Sequence, residues 1–221
     1  MGTDGFTVYF YPDYLIGLYQ RTPVQVNRAY LHMIFHCLFG HLKQPDHTDE
    51  QYWNLACDIV VESIIDELNE HSVRKYVPPY RKGVYQKLRE KMEVLTPKGV
   101  YWELLGMHLE EEQFGKMQEE FFVDDHVLWN ENVSPEKCIE REKKWKEQNE
   151  KLQTEMETFS KEASENAENI LNQVQIENRN RYDYRKFLEK FAILKEEMQV
   201  DQDSFDYIFI ITEWKCTGIC R

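Results

Sequence analysis

Tyr30-Leu-His-Met-Ile-Phe-His-Cys-Leu-Phe-Gly-His41 decides the fold, because its run of apolar residues predicts a buried helix. His32 and His36 are four residues apart and share one face of that helix, so both imidazoles can reach one metal ion. This is the spacing of the H-E-x-x-H helix of zinc proteases. In that motif a general-base glutamate follows the first histidine, whereas this chain has Met33 there. The stretch therefore predicts a metal site that lacks the usual base for hydrolysis.

The histidine pair also has a second interpretation, in which both rings are core residues hydrogen-bonded to backbone groups. Two features favour the metal site. Unpaired polar rings in so apolar a helix would be costly, and His41 follows Gly40, a residue that can end the helix. In a continuous helix His41 would lie about 140° around the axis from His36. It can therefore join the site only if the helix ends near Gly40.

Three other side chains compete with His41 to complete the site. Asp58 and Glu62 lie one turn apart on the next predicted helix, where each could supply an oxygen ligand or accept a histidine Nδ1–H. His126 follows two aspartates in a predicted loop. The alternatives are surface charge for the two acids and loop capping for His126. With Met33 in the motif, Glu62 is the candidate general base and Asp58 its substitute, and without either one hydrolysis should fall about 10²–10⁴-fold.

The composition limits the possible classes of protein. The chain has 221 residues, of which 42% are hydrophobic, enough to build a core. Its net charge of −13 would repel phosphate backbones and argues against nucleic-acid binding. No apolar run approaches the roughly 20 residues that span a bilayer. The first residues lack the pattern of a secretory signal, and the five irregularly spaced cysteines fit reduced thiols. We therefore expect a cytoplasmic protein that binds neither nucleic acid nor membrane.

The segment pattern predicts a mainly α (α+β) fold. A short strand is expected over 6–10, and helices over 12–20, 23–40, 49–70, 82–94 and 97–106. A charged stretch predicts one long, mostly solvated helix over 135–176, followed by an amphipathic helix over 182–194 and a buried strand or helix start over 205–212. The sharp change in composition at residue 135 predicts two domains, a helical core over 1–133 and a helical extension over 134–221.

Five stretches of this chain, taken in order, resemble a known family. They are residues 27–41, 53–61, 124–126, 182–188 and 205–208. Together they look like the metallopeptidase domain that precedes a von Willebrand A-like domain in a family of bacterial proteins. The resemblance spans nearly the whole chain. It implies a cytoplasmic bacterial protein with a zincin-like helical core, often encoded beside an AAA-type ATPase of the MoxR kind.

By the resemblance, His32 and His36 are expected as Zn²⁺ ligands, and His41, Asp58 and His126 are candidates for completing the site. Two departures from the family pattern matter. Met33 stands at the common glutamate position, and the chain ends at Arg221, where the family's second domain would begin. We therefore expect a truncated product whose peptidase activity is impaired.

Three functions follow as hypotheses. The first is a zinc-binding metallopeptidase-like domain with weak or no hydrolysis. The second is a non-enzymatic interaction module that docks the MoxR-like ATPase through the charged helix. The third is a working peptidase that cleaves a peptide substrate with Glu62 or Asp58 as its base.

Overall fold

A computed structural model describes residues 1–68, 70–129, 134–159 and 170–176. It is mainly helical, as predicted. Two short strands, β1 (Gly2–Thr3) and β2 (Val8–Tyr9), pair antiparallel, with Gly2 opposite Tyr9. The helices are α1 (Pro12–Arg21), α2 (Pro23–Leu38), α3 (Glu50–Glu67), α4 (Pro79–Arg89), α5 (Pro97–Gly106), α6 (Glu111–Phe121) and α7 (Pro135–Phe159), with a 3₁₀ turn at Val127–Trp129. Residues 170–176 are also helical.

The helix starts follow from local sequence. Prolines at the first turns of α2, α4 and α5 have no N–H to leave unsatisfied. The Asp49 carboxylate accepts a hydrogen bond from the Tyr52 amide, 3.1 Å away, and caps α3. The Thr96 hydroxyl accepts from the Gly99 amide in the same way and caps α5. These signals explain why the predicted starts of α2, α3 and α5 agree closely with the structure.

The end of α2 is a glycine cap. Gly40 has a φ of 71°, in the left-handed region that suits a residue without a side chain. The His41 amide then donates to the His36 carbonyl, 2.9 Å away, as in a Schellman motif. The chain therefore leaves the helix axis immediately before His41, and this satisfies the condition for bringing His41 close to His36.

Helix α3 lies at the centre of the core and packs against α2, α5 and α6. Nearly every side chain from Trp53 to Ile65 is buried, including Asp58 and Glu62. A helix that is buried on all sides must place its polar side chains against polar partners, because an unpaired buried charge is costly. The surface charge considered for Asp58 and Glu62 therefore does not apply to this helix.

Three features of the fold differ from the predicted pattern or add to it. The predicted strand over 6–10 is shorter in the structure and pairs with β1, which was not predicted. Helix α6 was also not predicted, although Phe114, Met117 and Phe121 form a buried stripe at helical spacing. The predicted amphipathic helix over 182–194 and the segment over 205–212 lie outside the described residues.

The first compact unit of the chain is Met1–Arg179. Helix α7 belongs to the first unit because buried polar side chains attach it there. Asn149 donates to the Leu38 carbonyl, and Trp145 donates through its indole N–H to the Gly5 carbonyl. None of the helices in the described ranges is long and apolar enough to cross a bilayer.

Candidate metal centre

Five side chains converge in the interior, beside the central helix. We call them the His/Asp cluster: His32, His36, Asp58, Asp124 and His126. One nitrogen or carboxylate oxygen from each lies within 4.8 Å of the corresponding atom of every other. Four of the five are buried, and His126 is only slightly exposed. Such a concentration of ligand atoms in the core indicates a possible metal site.

Three separate stretches of chain deliver these side chains. Helix α2 supplies His32 and His36 from one face, as their i,i+4 spacing predicted. Helix α3 supplies Asp58 from the adjacent face. The loop between α6 and the 3₁₀ turn supplies Asp124 and His126, whose side chains contact each other at 3.0 Å (Nε2 to Oδ1).

The N-terminal residues help to position that loop. The Asp125 amide donates to the Met1 carbonyl at 2.7 Å, and Gly2 forms a bridge with Asp125. A Cβ at Gly2 would lie 2.6 Å from the Asp125 carbonyl oxygen, so a side chain there would push the loop away. The close approach of these two backbones therefore requires glycine.

One oxygen of each carboxylate in the cluster, Oδ1, faces all three imidazoles. Asp58 Oδ1 lies 3.3 Å from His32 Nε2, 3.2 Å from His36 Nε2 and 3.1 Å from His126 Nε2. Asp124 Oδ1 lies 3.4, 3.9 and 3.0 Å from the same three atoms. The two imidazole Nε2 atoms on α2 are 2.7 Å apart. All of these atoms point towards one common region.

A carboxylate on α3 fixes the orientation of His32. Glu62 Oε1 lies 2.9 Å from His32 Nδ1, so His32 donates Nδ1–H to Glu62 and turns Nε2 towards the cluster. Glu62 is itself held by Arg28 at 2.8 Å and Arg81 at 2.5 Å, and Arg28 also contacts Asp66 at 2.5 Å. Two guanidinium groups therefore stabilise the charge of the carboxylate that orients His32.

His41 occupies the corresponding position behind His36. Its Nδ1 lies 3.0 Å from His36 Nδ1, on the opposite side of the ring from the cluster. His41 is therefore not one of the five convergent side chains, and it is placed to orient His36 in the way that Glu62 orients His32. Its position reflects the glycine cap, which turns the chain back onto α2.

The other side of the cluster is closed by Trp129. Its ring stacks on His126 with 3.9 Å between ring centroids, and it lies 4.9 Å from the His36 ring. The Trp129 carbonyl accepts a hydrogen bond from Arg141 of α7, which also donates to the carbonyls of Asp4 and Leu42. Arg141 thus joins α7, the N-terminal residues and the loop that carries His126.

The charges of the cluster balance in pairs. Burial opposes a positive charge on His126, but Asp58 and Asp124 raise its pKa to about 10. Burial also opposes a charge on His32, but hydrogen bonds to carboxylates, first of all Asp124, raise its pKa well above the usual value. Burial and the charge of His32 lower the pKa of His36 to about 4. Burial disfavours the Asp58 anion, but the nearby charge of His126 holds its pKa well below the usual value. Without metal, two imidazolium ions therefore face two carboxylates.

The donor set fits a divalent transition-metal ion. Ligand atoms at about 2.0–2.2 Å from a common ion lie roughly 3 to 4 Å from one another. The separations between donor atoms quoted above run from 2.7 to 3.9 Å. Among the described residues, Asp124 Oδ2 is buried and lacks a hydrogen-bond donor, as expected for a carboxylate that awaits a cation. Imidazole and carboxylate together suit ions such as Mn²⁺, Fe²⁺, Co²⁺ and Zn²⁺.

A cavity of about 500 Å³ reaches the cluster from the surface. Asp58, Asp124 and His126 line it, whereas His32 and His36 are sealed behind them with no exposed area. The outer wall includes Glu50, Glu119 and Asp125. A small molecule or a water can therefore approach the cluster from the side of the two aspartates.

The structure brings together four of the predicted ligands, His32, His36, Asp58 and His126. Instead of bonding only to backbone groups, as core histidines would, His32 and His36 contact carboxylates and other imidazoles. Sequence reasoning missed Asp124 as a ligand. The signal was its position two residues before His126, which lets both side chains reach one point from a single loop.

Comparisons with models of known families, with curated proteins and with solved structures find no match for this chain.

Proposed function

We propose that this domain binds one divalent transition-metal ion through the His/Asp cluster and is a metallopeptidase-like domain with little or no hydrolytic activity. The convergence of five ligand side chains at one buried point carries the proposal. Burying three imidazoles and two carboxylates together would be expensive without an ion or protons to neutralise them. A divalent ion neutralises both carboxylates and leaves the imidazoles uncharged.

The cavity that reaches the His/Asp cluster from the surface supports a catalytic role for the proposed ion. When bound beside the cavity, such an ion would polarise a carbonyl group or lower the pKa of a water molecule. The cavity wall carries three acidic side chains besides the ligands, Glu50, Glu119 and Asp125. Their charge disfavours phosphate-bearing substrates and is compatible with a peptide.

The predicted bases are poorly placed for hydrolysis. Met33 is buried and cannot accept a proton. Glu62 is bound to His32 and to two arginines, and the positive charges of these partners outweigh burial and lower its pKa to about 2. Asp58 directs its oxygen at three imidazoles. None of these three residues is therefore placed to supply the contribution of about 10²–10⁴-fold that a general base makes. The resemblance to the bacterial metallopeptidase domain agrees with this proposal.

Elemental analysis of the purified protein tests the metal site. Wild type should bind about one ion per chain, and His32→Ala with His36→Ala should lose it. His71→Ala is the matched control, because His71 is exposed and lies outside the cluster. A wild-type protein that stays free of metal after dialysis against Mn²⁺, Fe²⁺, Co²⁺ and Zn²⁺ would refute the proposal.

A second candidate function is a non-enzymatic interaction module that partners an AAA-type ATPase of the MoxR kind. One observation favours it: α7 presents exposed charged side chains, including Glu136, Glu140 and Glu147, along a helix attached to the core by one face. Replacing these three glutamates with lysine should weaken capture of such an ATPase, while replacing His32 and His36 should leave capture unchanged. Capture that survives the three lysine substitutions but is lost when His32 and His36 are replaced would exclude this candidate.

A further inference from the structure

The number of ligand side chains in the His/Asp cluster limits the metal ions that the cluster can hold. Structural zinc sites use four protein ligands, and catalytic zinc sites use three and keep one position for water. This cluster offers five side chains, three imidazoles and two carboxylates. Five donors that all lie near one another cannot be corners of one tetrahedron.

Both aspartates of the His/Asp cluster lie close to all three of its imidazoles. Asp58 Oδ1 lies within 3.3 Å of all three imidazole Nε2 atoms. Asp124 Oδ1 lies between 3.0 and 3.9 Å from the same atoms. An ion placed among the three imidazole nitrogens would therefore have an oxygen of each carboxylate at its edge. Both aspartates are therefore placed as ligands.

The separations agree with a larger coordination number. Around an ion with bonds of about 2.1–2.2 Å, neighbouring corners of an octahedron are roughly 3 Å apart, and opposite corners are roughly 4 Å apart. Corners of a tetrahedron of that size are all about 3.5 Å apart. The shortest separation in the cluster is 2.7 Å, between His32 Nε2 and His36 Nε2, and several others are near 3.1 Å.

The sixth position has a defined direction. His32 and His36 have no exposed area, so the side of the cluster behind them is closed. The cavity meets the cluster at Asp58, Asp124 and His126. A site filled by five protein ligands would therefore keep its one open position towards the cavity.

We propose that the cluster is a five-ligand site for an ion that favours six-fold coordination, of the Mn²⁺, Fe²⁺ or Co²⁺ class, with its open position on the cavity. This rests on the proposed metal site and revises the Zn²⁺ predicted from the H-x-x-x-H spacing. Mixed imidazole and carboxylate ligands suit these ions, and geometry rather than raw affinity sets metal selectivity.

Co²⁺ substitution tests the coordination number directly. The protein is stripped with a chelator and reloaded with one equivalent of Co²⁺, and its visible absorption is recorded. Six-coordinate Co²⁺ gives weak bands, whereas four-coordinate Co²⁺ gives intense ones. We expect weak bands, together with stoichiometric binding of Mn²⁺ followed by electron paramagnetic resonance.

Single substitutions test each aspartate. Asp58→Asn and Asp124→Asn should each change the Co²⁺ spectrum and weaken Mn²⁺ binding at least about 10-fold. Asp125→Asn is the matched control, because Asp125 is exposed and lines the same cavity but does not face the imidazoles. Circular dichroism melts verify that each variant folds, and the wild-type spectrum alone already decides the coordination number.

Two results would overturn the inference. Intense Co²⁺ bands with stoichiometric binding would refute six-fold coordination while leaving the metal site intact. Failure to bind any of the four ions would refute the metal site and this inference with it.

Discussion

Glu62 Oε1 lies 2.9 Å from Nδ1 of His32, a member of the His/Asp cluster, and both side chains are buried. Through this contact α3 orients a histidine of the possible metal site on α2. Partners of this kind set the tautomer of a ligand histidine and increase its basicity. Arg28 and Arg81 stabilise the Glu62 anion from the other side.

Replacing this partner should weaken metal binding without removing any ligand. Glu62→Gln is expected to lower the affinity for Co²⁺ about 10–100-fold, because the neutral amide orients His32 less strongly. Competition with a chromophoric chelator measures the change. Glu120→Gln is the control, since Glu120 also pairs with Arg81 but does not contact His32. If Glu62→Gln and Glu120→Gln weakened Co²⁺ binding equally, the effect would come from the ion pairs of Arg81 and not from the orientation of His32.

The stability of the metal-free protein should depend on pH in a defined direction. His126 has its pKa raised to about 10 by Asp58 and Asp124 against the effect of burial, so its contribution is full below about 6.5 and is lost as pH rises to 10. The lowered pKa of Asp58 gives a contribution that is present above about 4 and is lost in acid. Burial and the charge of His32 lower the pKa of His36 to about 4, so its contribution is present above about 6.5 and is lost as pH falls to 4. Urea unfolding of chelator-treated protein should therefore show its greatest stability near pH 6.5, with losses on both sides.

Between neutral pH and pH 10 the free energy of unfolding should fall by a few kcal/mol, since each unit of pKa difference corresponds to about 1.4 kcal/mol. His126→Gln should flatten this part of the curve. A metal-free wild type whose stability rises from pH 6.5 to pH 10 would contradict the charge pairing described above.

Arg141 should be important for stability, although it belongs to the predicted extension. Its buried guanidinium donates to the carbonyls of Asp4, Leu42 and Trp129. Arg141→Ala leaves these buried acceptors without their donor and should lower the free energy of unfolding by on the order of 3 kcal/mol. Chemical denaturation measures the loss.

Lys143→Ala is the matched control for Arg141→Ala, because it removes an exposed positive charge from the same helix. We expect it to change the free energy of unfolding by less than about 0.5 kcal/mol. If the two variants were equally stable, α7 would not be attached through Arg141.

Trp129 should report metal binding by fluorescence. Its ring stacks on His126 at 3.9 Å between centroids, so a paramagnetic ion in the cluster would quench its emission. Co²⁺ titration should give a saturating decrease at one equivalent, which Trp129→Phe should largely remove. Trp102→Phe is the control, since Trp102 is 60% exposed and outside the cluster. Quenching that persists in Trp129→Phe would place the ion elsewhere.

The parts of the fold and site that sequence predicted are those set by local periodicity. The shared helix face of His32 and His36 and the helix start near residue 49 depend on neighbours in the chain, and both predictions were confirmed. Asp124 was missed because its role depends on a tertiary contact between a loop and two helices. The pairing of β1 with β2 was missed for a similar reason, since Gly2 has little strand propensity and a two-residue strand shows no alternating pattern.

The spacing of Glu62 and His41 in the sequence did not show whether each would be a ligand or would orient one of the histidines. Both residues lie close to the histidine pair, but a distance along a helix does not say which ring nitrogen a side chain will face. In the structure each contacts the Nδ1 atom of a cluster histidine, on the side of the ring away from the cluster. Only the packing of α3 and the turn at Gly40 determine this.

The His/Asp cluster takes its members from α2, α3 and the loop before the 3₁₀ turn, so an ion held there would act as a cross-link between chain positions 32 and 126. Like a disulfide that closes a long loop, it would reduce the conformational entropy of the unfolded chain only if the unfolded chain kept the ion. Unfolding separates the ligands and releases the ion instead. Metal concentration would therefore set the midpoint of thermal unfolding by mass action, with about 2.7 kcal/mol of added stability at one hundred times the dissociation constant.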